Sequence, residues 1–315
     1  MPTKTRKAEI PRYELGDFQH VHRVPGKGDD FGCNRLERSR FVDGFELYSS
    51  SGLIGSVGPL RSAFYRVSIT VSGGLDMQIG LEHYRHRPRT LSFTCPEQIF
   101  LKNNISADAS GYYILFKEGF LDELLPAARM AEEFPFLGIM GMPVFEVAET
   151  ELASVVELVQ KVDEEIRADR PGRVKALQLY LYLMLLEAKR SYLRQGLNKA
   201  VPVAAGPALV GRFQKLVGAR FLTTRTVAGY AALLTVSPNH LNKVVKEVTG
   251  KTASDSISEM LVQEAKSLLR YTDSSIAEIA YKLDFSDPAS FNRFFKAGTG
   301  ETPLAWRNRH VRTDA

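Results

Sequence analysis

The sequence predicts a two-part α+β chain: an antiparallel β barrel or sandwich with a helical hairpin behind it, then an all-α C-terminal domain. Three observations carry this. Residues 61–117 alternate apolar and polar at the period of a strand, residues 149–195 carry apolar stripes at the period of a helix, and a helical motif occurs twice in the last third. At about 150 residues per domain, 315 residues allow two cores. The boundaries read as 1–195 for the first domain (strands at roughly 40–120, helices at roughly 149–195), 196–207 for a linker and 208–315 for the second domain.

In the first domain, Tyr65, Val67, Ile69 and Val71 alternate with Arg66, Ser68, Thr70 and Ser72. A turn at Ser72, Gly73 and Gly74 leads into Met77, Ile79 and Leu81, and Leu91 to Cys95 and Tyr112 to Phe116 read as further strands. Aromatic residues on strands are most often plain core. Tyr65, Met77, Phe93, Tyr112 and Phe116 are nevertheless the candidates to line a ligand pocket, with Arg66 available to an anion if its strand face points inward. Leu152, Val155, Val156, Val159, Val162 and Ile166 then form one apolar stripe. The next helix, about Gly172 to Gln195, is apolar on more than one side and needs more than one neighbour. Leu179, Leu183 and Leu186 are the candidates to meet a second subunit; complete burial within one chain is the plainer alternative. Gly196 to Pro207 breaks the periodicity and reads as the linker.

Charge is unevenly placed. Of 41 Lys and Arg and 36 Asp and Glu, residues 207–315 hold 15 and 10, so the whole excess of +5 sits there. A basic module beside a neutral one suggests a polyanion partner for the former. The composition excludes a disordered or fibrous chain, and two cysteines, Cys33 and Cys95, exclude a disulfide framework. No stretch reads as a membrane span or signal core, so a soluble, cytoplasmic protein is expected.

The repeat is specific. SPNHLNKVVKEVTG from Ser237 matches DPASFNRFFKAGTG from Asp287, fifty positions on, and TVAGYAALL from Thr226 resembles SIAEIAYKL from Ser275. Ser237 and Asp287 are N-cap types, each followed by a proline suited to the first helical position. Leu241, Val244, Val245 and Val248, and in the second copy Phe291, Phe294 and Phe295, form inward stripes. The outward faces carry Asn239, Asn242, Lys243 and Lys246, and then Ala289, Asn292, Arg293 and Lys296. A short helix, a turn and such a second helix make a helix-turn-helix. Asn pairs with adenine and Arg or Lys with guanine in a major groove, while Lys246 and Lys296 sit better for phosphates. An ordinary polar surface helix is the alternative for either copy alone. Between the copies, Ala253 to Leu269 reads as a helix of about 26 Å, fit to hold two reading helices about 34 Å apart for successive major grooves.

From Leu209 to Arg312, and most strongly from Glu264 onward, these residues resemble the DNA-binding domain of the arabinose-operon regulator (AraC/XylS) family, with Thr302 and Pro303 opening a closing helix that buries Trp306. The resemblance implies base-reading roles for Asn239, Asn242 and Lys243 and for Ala289, Asn292 and Arg293. It also implies a cupin-like N-terminal barrel that senses a small-molecule effector, a homodimer, an operator in double-stranded DNA and a contact with RNA polymerase. Where the family commonly has glycine in the two turns, this chain has Thr235 and Asp284, of which Asp tolerates the left-handed conformation better.

No enzyme is expected. His20 with His22 precedes the apparent barrel and lacks the Glu of a cupin metal site, and the arginines around His83 and His86 in HYRHRPR would oppose a cation; both pairs read as solvated or hydrogen-bonded, so neither metal nor cofactor is assigned. The rivals to a DNA-binding regulator are a metal-dependent cupin enzyme with an accessory DNA-binding domain and a nonspecific DNA-binding protein.

Overall fold

The computed structural model describes residues 13–311 apart from 25–26, 139–140, 169 and 199–204. The chain divides into two compact units, one of residues 13–57 and 62–203, the other of residues 58–61 and 204 onward.

The first unit opens with α1 (Leu15–His22) and contains β1 (Phe45–Ser49), β3 (Phe64–Ser72), β4 (Leu75–Ile79), β5 (Glu82–His86), β6 (Thr90–Thr94), β7 (Phe100–Asn103), β8 (Ser110–Lys117) and β9 (Val144–Glu146), whereas β2 (Val57–Leu60) belongs, from Gly58 on, to the other unit. Within the first unit the strands form two sheets, β1-β8-β3-β6-β9 and β7-β4-β5. β3 runs antiparallel to both β6 and β8. Closure into the expected barrel would need an edge strand of one sheet to pair with an edge of the other, and among the described residues no such ladder exists. The unit is therefore a pair of open antiparallel sheets.

The period-two alternation in β3 does not separate a core face from a solvent face. Its first seven residues, Phe64 to Thr70, are all buried. Tyr65 stacks on Phe116 with ring centroids 5.0 Å apart. Ser68 and Thr70, on the other face, reach the second sheet: Lys102 Nζ of β7 donates to Ser68 Oγ at 3.2 Å, and Thr70 Oγ1 lies 3.1 Å from His86 Nδ1 of β5. The polar face is therefore the one turned between the sheets.

After the short α2 (Met130–Glu133) come α3 (Glu149–Ala168) and α4 (Arg173–Arg194), packed against each other. α3 buries Leu152, Val155, Val159, Val162 and Ile166, and α4 buries Leu177, Leu181, Met184 and Leu185. Gly172, at φ +80°, turns the chain into α4 in a conformation that costs a residue with a Cβ.

The second unit holds α5 (Ala205–Arg220), α6 (Val227–Leu233), α7 (Pro238–Thr249), α8 (Ala253–Tyr271), α9 (Ile276–Lys282), α10 (Pro288–Thr299) and α11 (Pro303–Val311). The proposed linker is shorter than its composition suggested: α5 begins at Ala205, and residues 199–204 lie outside the described residues. Pro207 is accommodated because the first turn of a helix needs no backbone donor there. No helix among the described residues is long and apolar enough to cross a membrane.

Candidate nucleic-acid interface

Each copy of the motif is built by the same local chemistry. Ser237 Oγ accepts from the His240 amide at 3.2 Å and Asp287 Oδ1 from the Ser290 amide at 2.8 Å, so both second helices start at the expected cap. Both end on a left-handed glycine, Gly250 at φ +75° and Gly300 at φ +84°. The hydrogen bonds to Ser290 hold the exposed Asp287 carboxyl down, at about 2, so it is charged at neutral pH and favours the positive end of α10.

The caps matter because they fix rotation. With α7 anchored by buried Leu241, Val244 and Val245, the residues Asn239, Asn242, Lys243 and Lys246 come to the surface. With α10 anchored by Phe291 and Phe295, Ala289, Arg293 and Lys296 do so, while Asn292 is half-buried. Phe291 and Phe295 join Leu268, Leu269, Ile279, Leu283 and Trp306 in one core. Phe294, expected fully inward, is only half-buried, packed beside Phe285 at 5.0 Å. Val248 is exposed, not part of the inward stripe, because it lies in the last turn beyond the packed core.

Two of the candidate readers carry structural duties. Asn242 Oδ1 accepts from the Ala253 amide at 3.0 Å, tying α7 to the start of α8. Asn292 Nδ2 donates to the Pro288 carbonyl of its own helix at 2.9 Å. A paired hydrogen bond to adenine needs both the oxygen and the nitrogen of the amide, so each Asn would have to give up an internal bond to make it. Asn239, Lys243, Arg293 and the two lysines one turn on carry no such backbone bond in the described structure. Lys243 lies 3.9 Å from Glu247, and Arg293 Nη2 donates to Ser290 Oγ at 3.0 Å, a loose brace that aims its fork outward.

The two turns share a feature that the motif requires. Thr235 sits at φ +58° and Asp284 at φ +59°. A left-handed residue costs roughly 1–2 kcal/mol when it bears a Cβ, and a β-branched one bears the most crowding. Thr235→Gly is expected to raise the denaturant midpoint of the C-terminal unit, by a net of about 0.5–1 kcal/mol after glycine's greater unfolded-chain entropy. Asp284→Gly should gain less. A Thr235→Gly chain no more stable than its parent would show that the turn stores no strain.

The comparisons agree with this geometry. Residues 230–309 match a family model described as a helix-turn-helix domain. The C-terminal unit is an AraC-type helix-turn-helix domain. The chain is 39% identical over 79 residues to the HTH-type transcriptional regulator GlxA of Rhizobium meliloti, covering 25% of this chain and 24% of that one. It is 23% identical over 168 residues to the HTH-type transcriptional activator RhaS of an Enterobacter, covering 53% and 56%. A looser likeness, TM-score 0.41 at 13% identity, covers 85% of this chain and 100% of the solved ToxT chain from Vibrio cholerae. The matched stretches thus span about a quarter and about half of the two curated relatives.

Outside the AraC-type domain, the six candidate pocket residues separate. Arg66 and Tyr112 line a cavity of about 240 Å³ within the N-terminal unit. Tyr65, Met77, Phe93 and Phe116 do not line it and are packed core instead. His22, Lys102 and Tyr113 line it and were missed. Lys102 shares the inward parity of Phe100 on β7, a signal present in the sequence but carried by a strand of four residues. Of the histidines, His20 and His83 are exposed, whereas His22 bonds Tyr113 Oη at 2.8 Å and His86 lies against Thr70. Of the dimer candidates, Leu179 and Leu183 are exposed and Leu186 is half-buried.

Proposed function

We propose that the chain is a sequence-specific, DNA-binding transcription regulator that works as a homodimer and answers to a small molecule held in its N-terminal unit. One observation carries the reading: two helices in one domain, started by equivalent caps and ended by equivalent glycines, each turn a polar and basic face to the surface. Between them α8 runs for 19 residues, about 28 Å, and begins with a capping box at Thr252 and Asp255. A rod of that length with its flanking turns suits two reading helices about 34 Å apart, entering successive major grooves on one face of a duplex. Asn239, Lys243 and Arg293 are the base readers, with Asn242, Asn292 and Ala289 at the margins of the same faces, and Lys246 and Lys296 take phosphates.

The two sheets of the N-terminal unit are read as an opened cupin-like barrel that senses, and α4 as the element that pairs two copies. The effector would favour one arrangement of the dimer over another by binding it more tightly, and so change operator occupancy and the approach of RNA polymerase. No bond chemistry, metal or cofactor enters this mechanism, and its place is the cytoplasm.

Competition binding tests the reading. The full chain should prefer an operator, recovered by footprinting across its own genome, to random duplex by about a thousandfold or more at physiological salt. Equal affinity for both would leave only a nonspecific DNA-binding protein, and stoichiometric iron, zinc or manganese in the purified chain would favour the enzyme.

A further inference from the structure

The cavity in the N-terminal unit is lined by aliphatic residues, among them Leu53, Ile54, Leu75 and Ile105, and by the cationic side chains of Arg66 and Lys102. Arg66, on β3, is 3% exposed. Its guanidinium lies over the ring of Phe100, 3.9 Å from the centroid, and 4.8 Å from that of Phe18. Stacking occupies the flat faces of a guanidinium and leaves the donors in its plane to find partners of their own. Nε and Nη2 of Arg66 are buried and have none. Lys102, on β7, is 7% exposed, and its ammonium reaches Ser68 Oγ at 3.2 Å, one bond for three donors.

Nothing nearby offsets these charges. Among the described residues neither cation has a carboxylate in ion-pair distance, although the chain pairs many of its exposed ones. His22 and Arg23 add to the same side: Arg23 Nη1 donates to Tyr113 Oη at 2.6 Å, and Tyr113 stands 2.8 Å from His22 Nε2. Burial first, and then Arg66, Arg23 and Lys102, hold the His22 pKa well below its usual value, so the imidazole is neutral. Burial and then Arg66 likewise pull Lys102 down to about 7. A buried guanidinium with unmet donors, beside an ammonium that burial and Arg66 make ready to lose its proton, costs a protein stability unless an anion completes the pair. A site of that kind, destabilised when alone, is the mark of a place built for something else.

We propose that this cavity binds a small organic monocarboxylate, whose carboxylate is taken by Arg66 and Lys102 and whose body lies against Leu53, Ile54, Leu75 and Ile105. The proposal rests on the reading of the N-terminal unit as the sensing half and names what it senses. A planar carboxylate matches the fork of a guanidinium through two parallel bonds. The aliphatic wall disfavours inorganic phosphate or sulfate, which have no apolar part to bury. A cavity of about 240 Å³ limits the ligand to a small molecule.

The test uses the full chain, without DNA, and hexanoate as probe, with hexanamide and inorganic phosphate beside it in calorimetric titrations. Hexanoate should bind and raise the Tm, and hexanamide, of the same shape but uncharged, should bind at least tenfold more weakly. Arg66→Met should lower hexanoate affinity at least tenfold and raise the Tm of the ligand-free chain, since it removes a buried, unpaired charge. Hexanamide binding as tightly as hexanoate, phosphate binding more tightly than either, or no hexanoate binding at millimolar concentration would each overturn the proposal. Should Arg66→Met not fold, the contrast between acid and amide on the parent chain still decides. Failure of the regulator reading shows separately, as hexanoate binding in a chain that does not discriminate an operator.

Discussion

A chain carrying Leu179→Glu and Leu183→Glu is expected to sediment as a monomer where its parent sediments as a dimer. α4 packs Leu177, Leu181, Met184 and Leu185 inward, yet Leu179 is 46% exposed, Leu183 43% and Leu193 42%. Positions 179, 183, 186 and 193 fall on one side of the helix, so the exposure is a stripe and not a scatter of single residues. Fully burying an exposed leucine contributes about 1.5–3 kcal/mol, and since each of these is a little under half exposed, two from each of two copies contribute about 3–6 kcal/mol toward a dimer. Glutamates facing their own symmetry copies would remove that contribution and add repulsion. The fold should survive, because neither side chain is in the core, so the Tm would barely change. Operator affinity should fall by at least a hundredfold, since one half-site would no longer be held near its protein by the other. A wild-type monomer at working concentration, or a doubly substituted chain that remains a dimer, would remove α4 from the interface.

Arg293→Ala should cost about 1–3 kcal/mol at the operator, a five- to 150-fold loss, and relax base preference at one position. Lys246→Ala should instead weaken binding to all sequences alike and lower the salt slope by about one. The contrast follows from placement. Arg293 lies two residues from the packed Phe291 and Phe295, on an exposed face near the start of α10, braced by Ser290. Lys246 lies a turn beyond Lys243, in the last turn of α7. An Arg293→Ala chain whose footprint and base preference match the parent's would end its reading role. So would a Lys246→Ala chain that changed preference at one base while Arg293→Ala did not.

The C-terminal domain was legible because its signals are local. An N-cap lies three residues from the amide it satisfies, a helical stripe repeats every three or four residues, and Gly250 and Gly300 mark ends by a property of one residue each. A duplication of such signals is hard to produce by accident. The left-handed turns at Thr235 and Asp284 were raised only by the family resemblance, since a threonine gives no local sign of that conformation. The limits of local reading show at Asn242 and Asn292, whose outward parity said nothing of the bonds to Ala253 and Pro288.

The N-terminal unit shows the converse. Sequence located strands at β3, β4, β6 and β8 but not β1, β2, β5, β7 or β9. From β3 it offered Tyr65 to the pocket, and Arg66 only if that face pointed inward, whereas Arg66, Ser68, Ile69 and Thr70 line the cavity. A strand buried on both sides carries no sign of which side is core and which is cavity.

The sequence by itself therefore determined the two-part order, the duplicated helix-turn-helix and the outward set of basic and amide residues, because each depends on neighbours within a few turns of chain. Only the tertiary structure decided that the strands form two open sheets and that Arg66 and Lys102, 36 positions apart, face one space. Pairing between distant strands is set by which sheet faces must be buried together, and that is a property of the whole packed unit and of no segment within it.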